Sequence, residues 1–313
     1  MTTTERSSET QERSFLTTHR PGGLNYDLPP MKLFQKAKKL GIWNPSDIDF
    51  SQDAKDWQTL SPDERDILMR QTALFVAGEE SVTVDLLPLI MVVAQEGRLE
   101  EEIFLTSFLW EEAKHVESFD RWFKEVAVGH GDLSAYHSPS YKKIFYDELP
   151  AAMNRLKTDA SPQAQVRASA TYNMIVEGVL AETGYYSSYL SLTRNNIMPG
   201  TQQIIANLKR DESRHIAFAV YFLSRLMAEY GDVAWNAIDE RMNELLEPAI
   251  GVVNEVFAAY SHLEQVPFGI SQDEIQAYAM GQFQKRIDRV EKARTQTLDE
   301  IIQVANATEE AMA

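Results

Sequence analysis

Leu68, Thr72, Phe75, Glu79, Val82 and Leu86 recur at three- and four-residue intervals, the spacing of one helix face. The pattern predicts a helix from Ser61 to about Gln95. Its start is Ser61-Pro62-Asp63-Glu64: a capping Ser, a Pro at the first helical position and a Glu three residues after the cap. A second helix, about 99–128, places Phe104, Phe108, Glu112, His115 and Phe119 on one stripe and ends near Gly129. Before these, a short helix is expected over 31–40 and a turn at Trp43-Asn44-Pro45. After them come a loop at 130–137 and a segment from Pro139 to about 156. Ser161-Pro162 then starts a long helix carrying Tyr172, Glu177 and Gly184. Pro199-Gly200 precedes a helix with Glu212 and His215 that ends near Gly231. Two more helices are expected at 233–260 and 272–292. Strand-like alternation is nearly absent, so the fold class is an all-α bundle of long helices with additional helices around it. The whole chain reads as one domain. It carries an irregular arm over about 1–30, rich in Pro and Gly, and a weakly ordered tail after about 295.

Two strings on these helices carry chemistry: Glu112-Ala113-Lys114-His115 and Glu212-Ser213-Arg214-His215. In Glu-x-x-His the carboxylate and the imidazole lie about one turn apart on one face and can converge on one metal ion. Of the six histidines, only His115 and His215 have Glu three residues earlier. Both pairs sit among aromatic and aliphatic residues, where an unpaired carboxylate is costly. Glu79 and Glu177 lie on the preceding helices, so antiparallel neighbours would bring Glu79 level with Glu112 and Glu177 level with Glu212. The set is Glu79, Glu112 and His115, then Glu177, Glu212 and His215. This is the known ligand pattern of dimetal carboxylate bundles. Four carboxylates would neutralise two divalent ions, which makes burial tolerable. Glu101, Glu102, Glu111 and Glu117, by contrast, read as surface ion-pair residues.

Composition narrows the choice. The chain has 313 residues, no cysteine and a net charge of −17. Thiolate metal sites, iron–sulfur clusters and disulfides are excluded, leaving oxygen and nitrogen ligands that suit Mn, Fe or Zn. The negative charge argues against nucleic acid and against anionic membranes. The N-terminus is polar, and the longest apolar run, about 86–94, is broken by Pro88. No integral membrane segment is expected, and the protein reads as cytoplasmic.

On these residues the chain resembles the ribonucleotide-reductase small-subunit superfamily of ferritin-like proteins, from about Trp43 to the last long helices. That family's order is one acidic ligand, Glu-x-x-His, one Glu and a second Glu-x-x-His. The order falls on Glu79, Glu112 and His115, Glu177, Glu212 and His215. Asp211 matches an acid that orients a metal-bound His, which implies a hydrogen-bonded chain of His115, Asp211 and Trp43. Phe119 stands where a reductase subunit usually has its radical Tyr. No aromatic residue follows Phe283, so the C-terminal radical relay of a reductase is not expected.

The strings Gly78-Glu79-Glu80-Ser81-Val82 and Thr171-Tyr172-Asn173-Met174-Ile175-Val176-Glu177-Gly178 are similar to the ligand-binding oxidase branch. That resemblance implies an O2-activating Mn/Fe centre, with Mn at Glu79, Glu112 and His115, Fe at Glu177, Glu212 and His215, and Glu112 bridging. A di-iron centre is the alternative. It also implies a long-chain fatty acid bound at the metals, an ether cross-link between Val82 and Tyr172, and a homodimer. Two other functions are open at this stage: a reductase small subunit with a Mn/Fe cofactor, and a metal- or fatty-acid-binding protein without turnover.

Overall fold

The computed structural model describes residues 21–311, and among these there is no strand. The chain enters through α1 (Pro29–Leu40), which starts two residues before the expected helix and inside the span assigned to the irregular arm. Residues 1–20, the rest of that arm, lie outside the described residues. A short α2 (Ser51–Thr59) follows, then α3 (Pro62–Asp85). The capping box at the start of α3 forms as the sequence requires: Ser61 N donates to Glu64 Oε2 at 2.8 Å, and Glu64 N donates to Ser61 Oγ at 3.3 Å.

The single helix expected from Ser61 to Gln95 is two. α3 stops at Asp85 and α4 (Leu87–Gln95) begins beyond Leu86. Pro88 is the physical reason: it has no N–H to return to the preceding turn. α5 (Leu99–Glu125) packs against α3 and carries Glu112 and His115.

After α6 (Pro139–Lys142) and α7 (Leu149–Arg155), a long rod begins at α8 (Pro162–Ser169). It continues as a π-helical stretch, Ala170–Ala181, then as α9 (Glu182–Ser188). Its neighbour α10 (Pro199–Tyr230) carries Asp211, Glu212 and His215. The fully buried Asp53 fixes the start of α10, accepting from Gly200 N at 2.8 Å and Thr201 N at 2.6 Å. A carboxylate there complements the helix dipole and meets backbone donors that have no intrahelical partner. α11 (Asp232–Ala258) and α12 (Gln272–Glu291) complete the bundle.

The tail expected to be weakly ordered contains a further helix, α13 (Leu298–Ala311). Thr297 and Glu300 cap it reciprocally, and Ile301 is buried where α13 packs on α10. The capping box and the apolar contact outweigh the polar look of this segment. Among the described residues, no helix is long and apolar enough to cross a membrane.

Two apolar clusters fill the interior. One contains Phe104, Phe108, Tyr172 and Phe218; the other contains Phe75, Phe119, Trp122 and Tyr185. Phe108 of the first stacks on His215, and Trp43, packed on the second, stacks on His115.

Candidate metal centre

Six side chains from four helical rods converge. Ligand atoms of Glu79, Glu112, His115 and Glu212 lie within 4.8 Å of one another, and so do those of Glu112, Glu177, Glu212 and His215. All six residues are buried. Glu112, which the resemblance implies as the bridge, belongs to both groups, and so does Glu212. His115 Nδ1 is 3.3 Å from Glu79 Oε2 and 3.4 Å from Glu112 Oε2. His215 Nδ1 is 3.2 Å from Glu112 Oε1 and 3.3 Å from Glu212 Oε2.

The outer nitrogens choose the tautomers. His115 Nε2 lies 3.3 Å from Asp211 Oδ2, and His215 Nε2 lies 3.0 Å from Glu111 Oε2. An ionised carboxylate only accepts, so each Nε2 donates, and with metals bound each neutral ring would turn its Nδ1 lone pair inward. The two supports cross: α10 holds the histidine of α5, and α5 holds the histidine of α10. Trp43 Nε1 donates to Asp211 Oδ2 at 2.8 Å, so the expected chain of His115, Asp211 and Trp43 is present. Arg214 donates to both outer acids, Glu111 and Asp211, at 2.5 Å each. Lys114 donates to the Gly41 carbonyl and sits 3.5 Å from Asp211. A Cβ on Gly41 would collide with Glu111 and crowd Arg214, so this approach of α1 needs a residue without a side chain.

Glu111 corrects the reading of that residue as a surface ion-pair group. It is fully buried. Glu101 is corrected too: it is buried against Arg225, with Nε to Oε1 at 3.0 Å. A sequence signal for Glu111 existed. Glu111-Glu112-Ala113-Lys114-His115 and Asp211-Glu212-Ser213-Arg214-His215 share the order acid, Glu, any residue, base, His.

The donor set fits divalent cations. Both oxygens of Glu112 and Oε1 of Glu177 have no hydrogen-bond partner although buried. Inward lone pairs and carboxylate oxygens repel unless positive charge lies between them. Protons would otherwise supply that charge. Burial and neighbouring carboxylates push Glu177 well above the ordinary carboxylate range, and burial does the same to Glu79 against the opposing pull of His115. Burial also raises Glu112, but contacts with His115 and His215 outweigh it and hold this carboxyl low. Burial opposes charging of both histidines, while Glu79 at His115 and Glu212 at His215 raise them well above the ordinary value. Two divalent cations would do the same neutralising work.

Around this cluster, Tyr172 donates its hydroxyl to the Val82 carbonyl at 3.0 Å, and both residues are buried. Asn173 donates to Glu177 Oε2 at 3.0 Å. Phe119 is buried and stacks on Phe75 at 5.4 Å. Tyr185, on the other face of Phe75, was not legible in the sequence. Its ring stacks at 5.4 Å, its hydroxyl has no hydrogen-bond partner, and burial followed by Glu212, Glu79 and Glu112 pushes its phenol well above the ordinary range.

A helical bundle with a buried carboxylate–histidine cluster of this order defines a ferritin-like dimetal carboxylate protein. The chain belongs to the family described as ribonucleotide reductase, small chain, whose family model matches residues 27–290. It is similar to an R2-like ligand-binding oxidase solved with an aerobically reconstituted Mn/Fe cofactor, at 42% identity and TM-score 0.82, over 86% of this chain and 94% of that one. A glycine-to-leucine variant of such an oxidase, with an anaerobically reconstituted Mn/Fe cofactor, matches at 40% identity and TM-score 0.84, over 90% and 99%. A tyrosine-to-phenylalanine variant, aerobically reconstituted, matches at 42% and TM-score 0.80, over 86% and 95%.

Proposed function

We propose that this protein is an O2-activating Mn/Fe oxidase that holds a long-chain fatty acid beside its metals and joins Val82 to Tyr172 through an ether. Family membership and the cluster make it an oxidoreductase of the dimetal-carboxylate kind. Glu79, Glu112 and His115 would hold Mn, Glu177, Glu212 and His215 would hold Fe, and Glu112 and Glu212 would lie between them. When bound, Mn(II) and Fe(II) would supply an O2 site and two of the four electrons that carry O2 to water.

The other two electrons come from the residue pair. The Val82 Cβ–H and Tyr172 O–H bonds break, a Cβ–O bond forms, and two protons leave with the two electrons. The observation that carries the reading is the Tyr172 hydroxyl against the Val82 backbone, next to the cluster. Asp211 and Glu111 fix the two imidazoles, and Trp43 steadies Asp211.

A cavity of about 140 Å³, lined by Ile67, Leu74, Val253 and Phe257, has Glu79, Glu177 and Glu212 on its wall. An acyl chain would lie among the apolar residues with its carboxylate toward the metals, where it would supply a further anion. Val84 at the end of α3 and Leu87 and Met91 on α4 are exposed apolar residues that a second copy of the chain would cover. The cytoplasm remains the compartment assigned from sequence.

The test is anaerobic loading with Mn(II) and Fe(II), exposure to O2 and peptide mass spectrometry. The expected product is a joined Val82–Tyr172 peptide lighter by two hydrogen atoms than its parts, absent in Tyr172→Phe. Separate peptides from the fully loaded, O2-exposed protein would overturn the oxidase reading in favour of a binding protein without turnover.

A further inference from the structure

A second cavity, of about 810 Å³, opens between α1, α10, α12 and α13, and among the described residues shares no lining residue with the cavity beside the metal centre. Leu33, Ile216, Val220 and Ile301 make an apolar wall. Lys285, Arg286, Arg289 and Lys292 line it, against Glu182 and Asp288, in a chain whose net charge is −17. Arg286 is the unusual member. It is 7% exposed, and among the described residues its guanidinium donates only to neutral oxygens, the Gly178 carbonyl at 3.2 Å and Gln282 Oε1 at 3.3 Å. Among the described residues, no ion pair within 4.0 Å involves Arg286. The other buried arginines differ: Arg214, Arg225 and Arg241 each meet a carboxylate at 3.0 Å or less. Gly178 permits the approach, because a Cβ there would stand 2.8 Å from Arg286 Nε.

Glu182 and Glu177 act on Arg286 only from beyond ion-pair distance; a buried cation so weakly compensated is costly, and a guanidinium fork matches the planar or tetrahedral oxygens of a carboxylate or phosphate. The cavity is within the usual size of small-molecule sites, which combine apolar walls with a few polar anchors. We propose that it binds an amphiphilic organic anion. Arg286 and Lys285 take the charged head, and the apolar body lies against Leu33, Val220 and Ile301. This assignment stands apart from the metal chemistry and would survive its failure.

The test uses the full-length, metal-loaded protein and the fluorescent anion anilinonaphthalene sulfonate. A class of sites should survive Gly78→Phe, which fills the metal-side cavity. The Lys285→Glu/Lys292→Glu double variant, changed only at exposed positions, should weaken that class about tenfold, and Val220→Trp should remove it. Dodecanoate and dodecyl phosphate should displace the probe, the stronger of the two identifying the head group, whereas dodecanol should not. Loss of all probe binding in Gly78→Phe, or binding in the charge-reversed variant equal to that of the parent, would overturn the proposal. So would displacement by dodecanol as effective as by the anions.

Discussion

The two halves of the cluster repeat one design in different surroundings. Around His115 the setting is polar and leads outward. Its outer acid, Asp211, is held by Trp43, Lys114 and Arg214, and its ring faces the half-buried Trp43 at 6.2 Å. Around His215 the setting is drier. The ring stacks on the fully buried Phe108 at 3.5 Å, and Tyr172 closes in behind Phe108 at 5.9 Å. The difference teaches that one ligand order can be held by two kinds of support. The outer acid of the first half is tied to three polar side chains, whereas the ring of the second is packed against an apolar one. One Arg, Arg214, ties the outer acids of both halves together.

The comparison can be broken at several levels. Glu112→Ala removes one of the two carboxylates common to both ligand groups, the one nearer both histidines, so elemental analysis should show both metals lost together. Retention of one at full occupancy would mean that the halves are independent. Phe108→Ala should cost about 3–5 kcal/mol in urea unfolding, because it opens a void beside His215 that the packed helices cannot close. Glu111→Gln and Asp211→Asn should each weaken metal binding about 10–100-fold, the first at the His215 site and the second at the His115 site. Metal-specific spectroscopy on the mixed-metal protein would separate the two, and equal effects at both sites would erase the distinction. Trp43→Phe should be mildest, about 1 kcal/mol for the lost indole hydrogen bond, with the Val82–Tyr172 cross-link unchanged by mass spectrometry.

Legibility followed the physics of each element. Glu79, Glu112, His115, Glu212 and His215 could be placed because they lie on regular α-helices, where three- and four-residue spacing fixes a face. Tyr172 and Glu177 could not be placed that way. Five residues apart, they fall on different faces of an α-helix, and only the π-helical stretch Ala170–Ala181, with its wider turn, brings both to the cluster. The Tyr172 position came from resemblance to a family instead. Glu111 was misread because a glutamate beside basic residues on a helix is usually solvated. Its burial depends on α1, whose Gly41 closes over it, and on Arg214 one helix away.

The sequence by itself determined the helical class, the capped starts of α3 and α8, the absence of thiolate chemistry and the facing of five metal-ligand candidates, because periodicity and donor chemistry are local. Tertiary structure decided what those candidates share. It set Glu112 and Glu212 between two groups, crossed the supports of the two histidines, buried Glu111 and put the Tyr172 hydroxyl on Val82. These depend on contacts between helices far apart in the chain, and packing of whole faces, not the spacing within one, fixes them.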